Sequence, residues 1–248
     1  MRPILFYVGN VPIFSYGLFI FLGIVALFTT ALRAGRKANY SWEQLIPVSL
    51  GILVGGMVGA KLSHALVEPA DWVEILDFFG LFRPQTPGNI VGLMFGGFVG
   101  GTAIRLSLEI PAMGHIYAIP MALASVIWRI GCTMAGCCHG VETDLPWAVF
   151  LENARRHPTM VYEGIFNLIL LFVVWKIKPR FDEGDTLIFI YYICYSFFRF
   201  FIEFIRVYPP IAFGLTGIQF ICCGIFIWSI VRLYREQSQP NLPALEGA

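Results

Sequence analysis

Seven stretches of about twenty mostly apolar residues follow one another along this chain, and each is long enough to cross the roughly 30 Å hydrocarbon core of a bilayer as a helix. They lie near residues 11–32, 45–67, 90–108, 116–135, 161–177, 187–205 and 213–233. A chain built this way has few alternatives. Backbone polar groups in lipid must be satisfied within the segment, which selects helices, or within a closed barrel, whose short alternating strands are not seen here. Composition agrees. The chain is 57% hydrophobic and 13% charged, against about 45–50% and about 25% in soluble domains, and its mean hydropathy is +0.72. The expectation is an all-α integral membrane protein of about seven transmembrane helices. Residues 1–236 form one membrane domain, and 237–248 form a polar, proline-bearing tail expected to be disordered.

Arginine and lysine set the expected orientation, because cytoplasmic links carry an excess of them. One set of alternate links holds Arg33, Arg36, Lys37, Arg105, Lys176, Lys178, Arg180, Arg232 and Arg235, and the other holds Arg2, Arg83, Arg155, Arg156 and Arg206. The richer set is assigned to the cytoplasm, which puts the N-terminus outside and the C-terminus inside. The start of the chain lacks a signal-peptide cleavage pattern, so the first span is read as its own insertion signal. A net charge of +1 without a basic tail gives no reason to expect a nucleic-acid partner. In the outward link 68–88, Asp71, Glu74 and Asp77 alternate with Trp72, Ile75, Phe78 and other apolar residues, as in a helix lying on the membrane surface. The third span is interrupted by Gly92, Gly96, Gly97, Gly100 and Gly101. This fits either close helix packing or a broken helix lining a cavity.

Charge inside an apolar span is costly and usually has a partner and a purpose. In the sixth span Tyr195, Arg199, Glu203 and Arg206 follow at spacings of four, four and three, which places them on one helical face. Glu203 can neutralise one of the two arginines, leaving positive charge inside the bundle: a site for an anion, or a structural ladder of ion pairs. Arg129, near the outer end of the fourth span, has no carboxylate one turn away and needs a partner elsewhere. Guanidinium groups suit phosphate through paired hydrogen bonds, so Arg129, Arg199 and Arg206 together are candidates to hold a phospholipid headgroup. Lys61 is read as snorkelling to the interface. Thr159 is placed as the N-cap of the fifth span and Glu163 in its first turn, where the helix dipole would stabilise it.

The segment 131–140 holds Cys132, Cys137, Cys138 and His139 among glycines. Three readings stay open: packing as small hydrophobes, a disulfide of Cys132 with Cys137 or Cys138, or a metal site or thiolate nucleophile. The spacing is not one of the standard zinc patterns, and no metal or cofactor is expected. Cys194, Cys222 and Cys223 fall mid-span and are assigned to packing.

Four segments resemble the prolipoprotein diacylglyceryl transferase family over nearly the whole chain. They are Ser15-Tyr16-Gly17-Leu18; Arg129-Ile130-Gly131; Arg156-His157-Pro158-Thr159-Met160-Val161-Tyr162-Glu163; and Tyr195 through Arg199 to Glu203-Phe204-Ile205-Arg206, with Gly217-Ile218-Gln219 beyond. The resemblance implies transfer of a diacylglyceryl group from phosphatidylglycerol, or a similar anionic phospholipid, to the thiol of a lipoprotein precursor at the bacterial inner (plasma) membrane. With it, Arg129, Arg199, Glu203, Cys132 and Cys137 are expected to be catalytic, and Tyr16, His157, Glu163, Tyr195 and Arg206 to bind substrate. The sequence departs from the family pattern at definite places. Cys132 stands where the signature has Asn and Cys137 where it has Glu. Phe95 replaces a histidine before Gly96-Gly97, and Met57 an arginine after Gly55-Gly56. Those departures keep two rivals in view: a thiol redox or metal-handling protein, and a non-catalytic phospholipid-binding paralogue.

Overall fold

The computed structural model describes residues 2–67 and 88–238, so the expected surface helix within 68–88 lies outside the described residues, Gly88 excepted. Among the described residues, seven helices are long and apolar enough to cross a membrane: α1 (Ser15–Lys37), α2 (Trp42–Val67), α3 (Ile90–Ser107), α4 (Gly114–Ala135), α5 (Thr159–Ile177), α6 (Thr186–Ile202) and α7 (Gly217–Ser238). This is the all-α, multi-pass architecture that the hydropathy predicts. Two small hairpins are added. Strands β1 (Ile4–Val8) and β2 (Val11–Phe14) precede α1, and β3 (Val149–Leu151) and β4 (Ala154–Arg156) lie between α4 and α5; both pairs are antiparallel.

Several boundaries differ from expectation. The first span was expected to begin at 11, but Val11–Phe14 is the second strand of a hairpin that turns at Gly9, where φ is +61°. The seventh helix starts at Gly217 rather than 213, after a bend in which Phe213 and Gly214 are left-handed. At its other end it runs through Ser238, two residues into the expected tail; the remainder of the tail lies outside the described residues.

The glycines of α3 are packing surface in a continuous helix, not a break. Gly51, Gly55 and Gly59 of α2 face Gly92, Gly96 and Gly100 of α3, each series at a spacing of four. A Cβ on Gly55 would stand 2.4 Å from the Gly96 carbonyl oxygen, and one on Gly59 would stand 2.3 Å from that of Gly92. In lipid, where apolar side chains gain nothing by leaving the solvent, such close approach is what joins helices. Helix α1 docks on α4 by the same device: Gly23 accommodates the Trp128 indole, whose Nε1 donates to the Ile20 carbonyl at 3.1 Å.

Helices α4 and α6 are the most enclosed, and among the polar groups they bury are His115, Ser125 and Arg129 on α4 and Ser196 and Arg199 on α6. At the end where α4 begins, Asp185 accepts from the Gly114 amide (2.8 Å) and pairs with Arg105 (3.3 Å), while Glu236 accepts from the Asp185 amide (2.9 Å). Arg105 was counted as a loop charge and is buried, as is Arg206 in the opposite set. One residue leaves each side, so the charge bias between links persists.

Candidate functional site

At the other end of α4 five ionisable residues meet. Arg129 comes from α4 and Glu163 from α5. Arg199 comes from α6, and Glu203 from the single 3-10 turn that extends α6 to Ile205. Arg206 follows where the chain becomes extended, ahead of Pro209 and Pro210, which cannot continue a helix. All five are buried. The Glu163 carboxylate has no exposed surface and lies at the centre. It is hydrogen-bonded by Arg129 and, at 2.7 Å, by Arg206, and Arg199 Nε stands 3.9 Å away. Glu203 pairs with Arg199 one turn earlier and lies 3.9 Å from Arg206 Nε, while its other oxygen accepts from the Thr216 hydroxyl at 3.0 Å. Three guanidiniums against two carboxylates leave a net charge of +1 in an apolar bundle. Among the described residues, Nε of Arg199 and Nε of Arg206 have no hydrogen-bond partner, and neither does the buried hydroxyl of Tyr195. Burial works against the charge of Arg206, and Glu163 overrides it, raising its pKa above the ordinary arginine range.

The expected pairing of Glu203 with one of the two arginines is met by Arg199, one turn earlier; Arg206 lies in extended backbone beyond the helix rather than on the same helical face, with its Nε 3.9 Å from Glu203. Three other expectations are corrected. Thr159 is the first residue of α5 rather than its N-cap, and its hydroxyl donates to the Cys138 carbonyl instead. Glu163 lies beyond the first turn, so it is the counter-ion of two arginines rather than a partner of the helix dipole. Lys61 is buried rather than snorkelling. Of the other expected residues, Tyr195 lies against the cluster within electrostatic reach of Glu163, Arg129 and Arg199. Tyr16 is about half exposed and within reach of Arg129 and the three cysteines. His157 is set apart: its ring faces Tyr162, with Nδ1 3.5 Å from the phenol oxygen, and its backbone ties the 136–160 link by accepting from the Gly140 amide at 2.8 Å.

Three polar residues escaped the sequence reading of the site. Asn167 donates to the Glu163 carbonyl at 2.7 Å, Thr216 holds Glu203, and Gln219 donates to the Phe200 carbonyl at 3.2 Å while accepting from the Thr216 amide. A signal for Asn167 existed in its place one turn after Glu163 within an apolar span.

The cysteines converge beside this network. Helix α4 ends in a left-handed Gly136 (φ +74°), whose amide, like that of Cys137, donates to the Cys132 carbonyl, so the chain curls back over its last turn. Cys138 is also left-handed (φ +62°), held there by the Thr159 hydroxyl. The three sulfur atoms consequently lie within 4.8 Å of one another, with Cys132 buried and the other two half-buried. All three are free thiols, and Arg129 Nη1 points at Cys132 Sγ from 3.9 Å. Hydrogen bonds from Cys132 and then Cys137, helped by the arginines, hold the Cys138 thiol well below its usual pKa; the bonds to Cys132 and Cys138 push Cys137 up. The His139 side chain is mostly covered, and its Nε2 lies 3.2 Å from the exposed Glu152 carboxylate.

The prolipoprotein diacylglyceryl transferase family model matches residues 3–235. Among curated relatives, a phosphatidylglycerol–prolipoprotein diacylglyceryl transferase of Clostridium tetani is 29% identical, covering 96% of this chain and all of the relative. The corresponding protein numbered 2 in Clostridium perfringens is 29% identical over 93% of this chain and 94% of its own. One from Dehalococcoides mccartyi is 29% identical over 96% of this chain and 95% of its own.

Proposed function

We propose that this chain, which belongs to the prolipoprotein diacylglyceryl transferase family, moves a diacylglyceryl group from phosphatidylglycerol to the cysteine thiol of a lipoprotein precursor. Its seven helices would lie in a bacterial inner membrane, with the N-terminus and the arginine cluster at the outer face and the C-terminus in the cytoplasm. The observation that carries the reading is the buried network itself: three arginines held by two carboxylates, one positive charge in excess, at one end of an apolar bundle.

A phosphodiester carries one negative charge, which matches that excess. Arg129 and Arg206 hold the phosphate, while Glu163 fixes both guanidiniums in place before substrate arrives. Attack of the acceptor thiolate on the glyceryl carbon forms a C–S bond and breaks the C–O bond to phosphate. The leaving group departs as a glycerol phosphate carrying the electron pair, so its second negative charge grows as the bond breaks. Preorganised guanidiniums stabilise that developing charge more than the ground state. Arg199 and Glu203 brace this arrangement, and Tyr195 offers the donor of an unpartnered hydroxyl. An apolar groove lined by Phe197, Phe200, Phe201, Cys222 and Phe226, next to Ser196, lies beside Arg199 and suits an acyl chain. Tyr16 and the 136–160 link, with His157, frame the entrance for the acceptor.

Complementation tests the reading. In a strain depleted of its own diacylglyceryl transferase, the wild-type gene restores growth and lipoprotein maturation, and a variant carrying Arg129→Ala with Arg206→Ala does not. Failure of the wild type at normal expression overturns it.

A further inference from the structure

We propose that Cys132, Cys137 and Cys138 form a three-thiolate zinc(II) site whose open fourth position takes the thiol of the acceptor. The acceptor half of this statement rests on the transferase reading; the metal half does not.

Geometry comes first. Zinc–thiolate bonds of about 2.3 Å in tetrahedral array put sulfur atoms about 3.8 Å apart. The three Sγ atoms already lie within 4.8 Å of one another, so closing on an ion needs movement of about 1 Å at most. The backbone that brings them together is fixed. Cys132 belongs to the last turns of α4, Gly136 folds the chain back, and Cys138 is held left-handed by the Thr159 hydroxyl. A run of Cys-x4-Cys-Cys looks unlike a zinc motif in sequence, yet this turn converts it into a three-pronged one. Arg129 Nη1, 3.9 Å from Cys132 Sγ, supplies the outer hydrogen bond that tempers thiolate charge at such centres. Cys137 and Cys138 are half-buried, so one side of the cluster stays accessible, and the described residues add no fourth ligand to the three sulfurs. Three protein ligands and one open position is the pattern of a reactive rather than a structural zinc.

Chemistry then selects among the roles three thiols can play. A cysteine of this chain that attacked the glyceryl carbon would end as a thioether. The acceptor thiol cannot readily displace so poor a leaving group, so a nucleophilic cysteine would be a dead end. The acceptor, by contrast, must be deprotonated, since a free thiol has a pKa near about 8.5. Glu163 and Glu203 are both committed to arginines. Zinc removes the need for a base: the acceptor R–SH displaces a water from the ion, binds as R–S⁻ and releases its proton to solvent. The bound thiolate then forms the C–S bond as the C–O bond to phosphate breaks, and no electrons are gained or lost. The ion would sit where arginine-held phosphate and acceptor meet, because Cys132 touches Arg129.

Cobalt substitution reads the site directly. Wild-type protein in detergent, stripped with chelator and reloaded with Co²⁺, is expected to take up one cobalt per chain that zinc displaces. It should show thiolate-to-cobalt absorption in the near ultraviolet and the visible bands of a tetrahedral site. Those bands shift on adding a short cysteine peptide and do not shift with its serine counterpart. Cys132→Ser and Cys138→Ser abolish the bands while helical circular dichroism is kept. The proposal is overturned by absence of stoichiometric metal, by a closed copper(I) site, by a disulfide among the three cysteines in protein isolated from cells, or by bands indifferent to the cysteine peptide. The wild-type spectrum decides even where a variant misfolds. Transfer assays separate the two ideas. Metal and thiol binding without transfer sinks the transferase reading and upholds the site. Undiminished transfer by the Cys132→Ser/Cys138→Ser double variant does the reverse.

Discussion

Glu163 is the residue on which the buried network turns, because it alone contacts all three arginines. Removing its charge leaves Arg129 and Arg206 in an apolar bundle without their closest counter-ion. Breaking a buried pair from one side costs about 3–5 kcal/mol. Glu163→Gln is therefore expected to lower the detergent unfolding midpoint by many degrees and to abolish transfer. Thr216→Val, which takes only one hydroxyl from Glu203, costs about 1–3 kcal/mol. Equal midpoints for the two variants in a thermal melt would contradict this ranking. How much of the network is legible in sequence depends on distance along the chain. Arg199 and Glu203 are four residues apart on one helix, so their pairing follows from helical geometry. Arg129 and Glu163 are 34 residues apart on different helices, and nothing local distinguishes that carboxylate from one placed for the helix dipole. The convergence of the thiols was hidden for a related reason, since it depends on two left-handed residues, Gly136 and Cys138.

At the scale of elements, the glycines that made the third span look weak are what join α3 to α2. Alternation of apolar and small residues announces a helix or a break equally well, and only the partner helix decides between them. Gly55→Val would drive a branched side chain into the Gly96 carbonyl, already 2.4 Å from an added Cβ. Overpacking of this kind costs about 1–3 kcal/mol or more. Gly224→Ala on α7 meets nothing within 4 Å, and alanine is the better helix former, so this variant is expected to match or exceed the parent. Thermal melts of both variants check the contrast, and a Gly55→Val protein as stable as the parent would mean that α2 and α3 are not held by close approach. Element ends were the least legible feature. Strand β2 of the first hairpin, Val11–Phe14, is apolar and falls within the span expected from 11, because hydropathy does not distinguish a strand at the interface from the start of a helix.

For the whole molecule, the two polar ends of the bundle have different work: Arg105, Asp185 and Glu236 tie helices together at one, and the five-residue network lies at the other. The orientation we propose puts the first in the cytoplasm. Reporter fusions at Arg36 and Lys178 should both read cytoplasmic, and a periplasmic signal at either one contradicts it. Seven spans and the charged face of α6 could be read from sequence because each is a local pattern. The assembly of the site could not, since it draws on α4, α5, α6 and the start of α7. The central claim is that this assembly transfers a lipid group. Its most direct test is mass spectrometry of a cysteine-bearing lipoprotein signal peptide incubated with the purified protein in phosphatidylglycerol nanodiscs. The account predicts a peptide heavier by one diacylglyceryl group on its thiol, with glycerol phosphate released in equal amount and neither product formed by the Arg129→Ala/Arg206→Ala protein. An unmodified peptide beside folded, phosphatidylglycerol-loaded wild-type protein would contradict it.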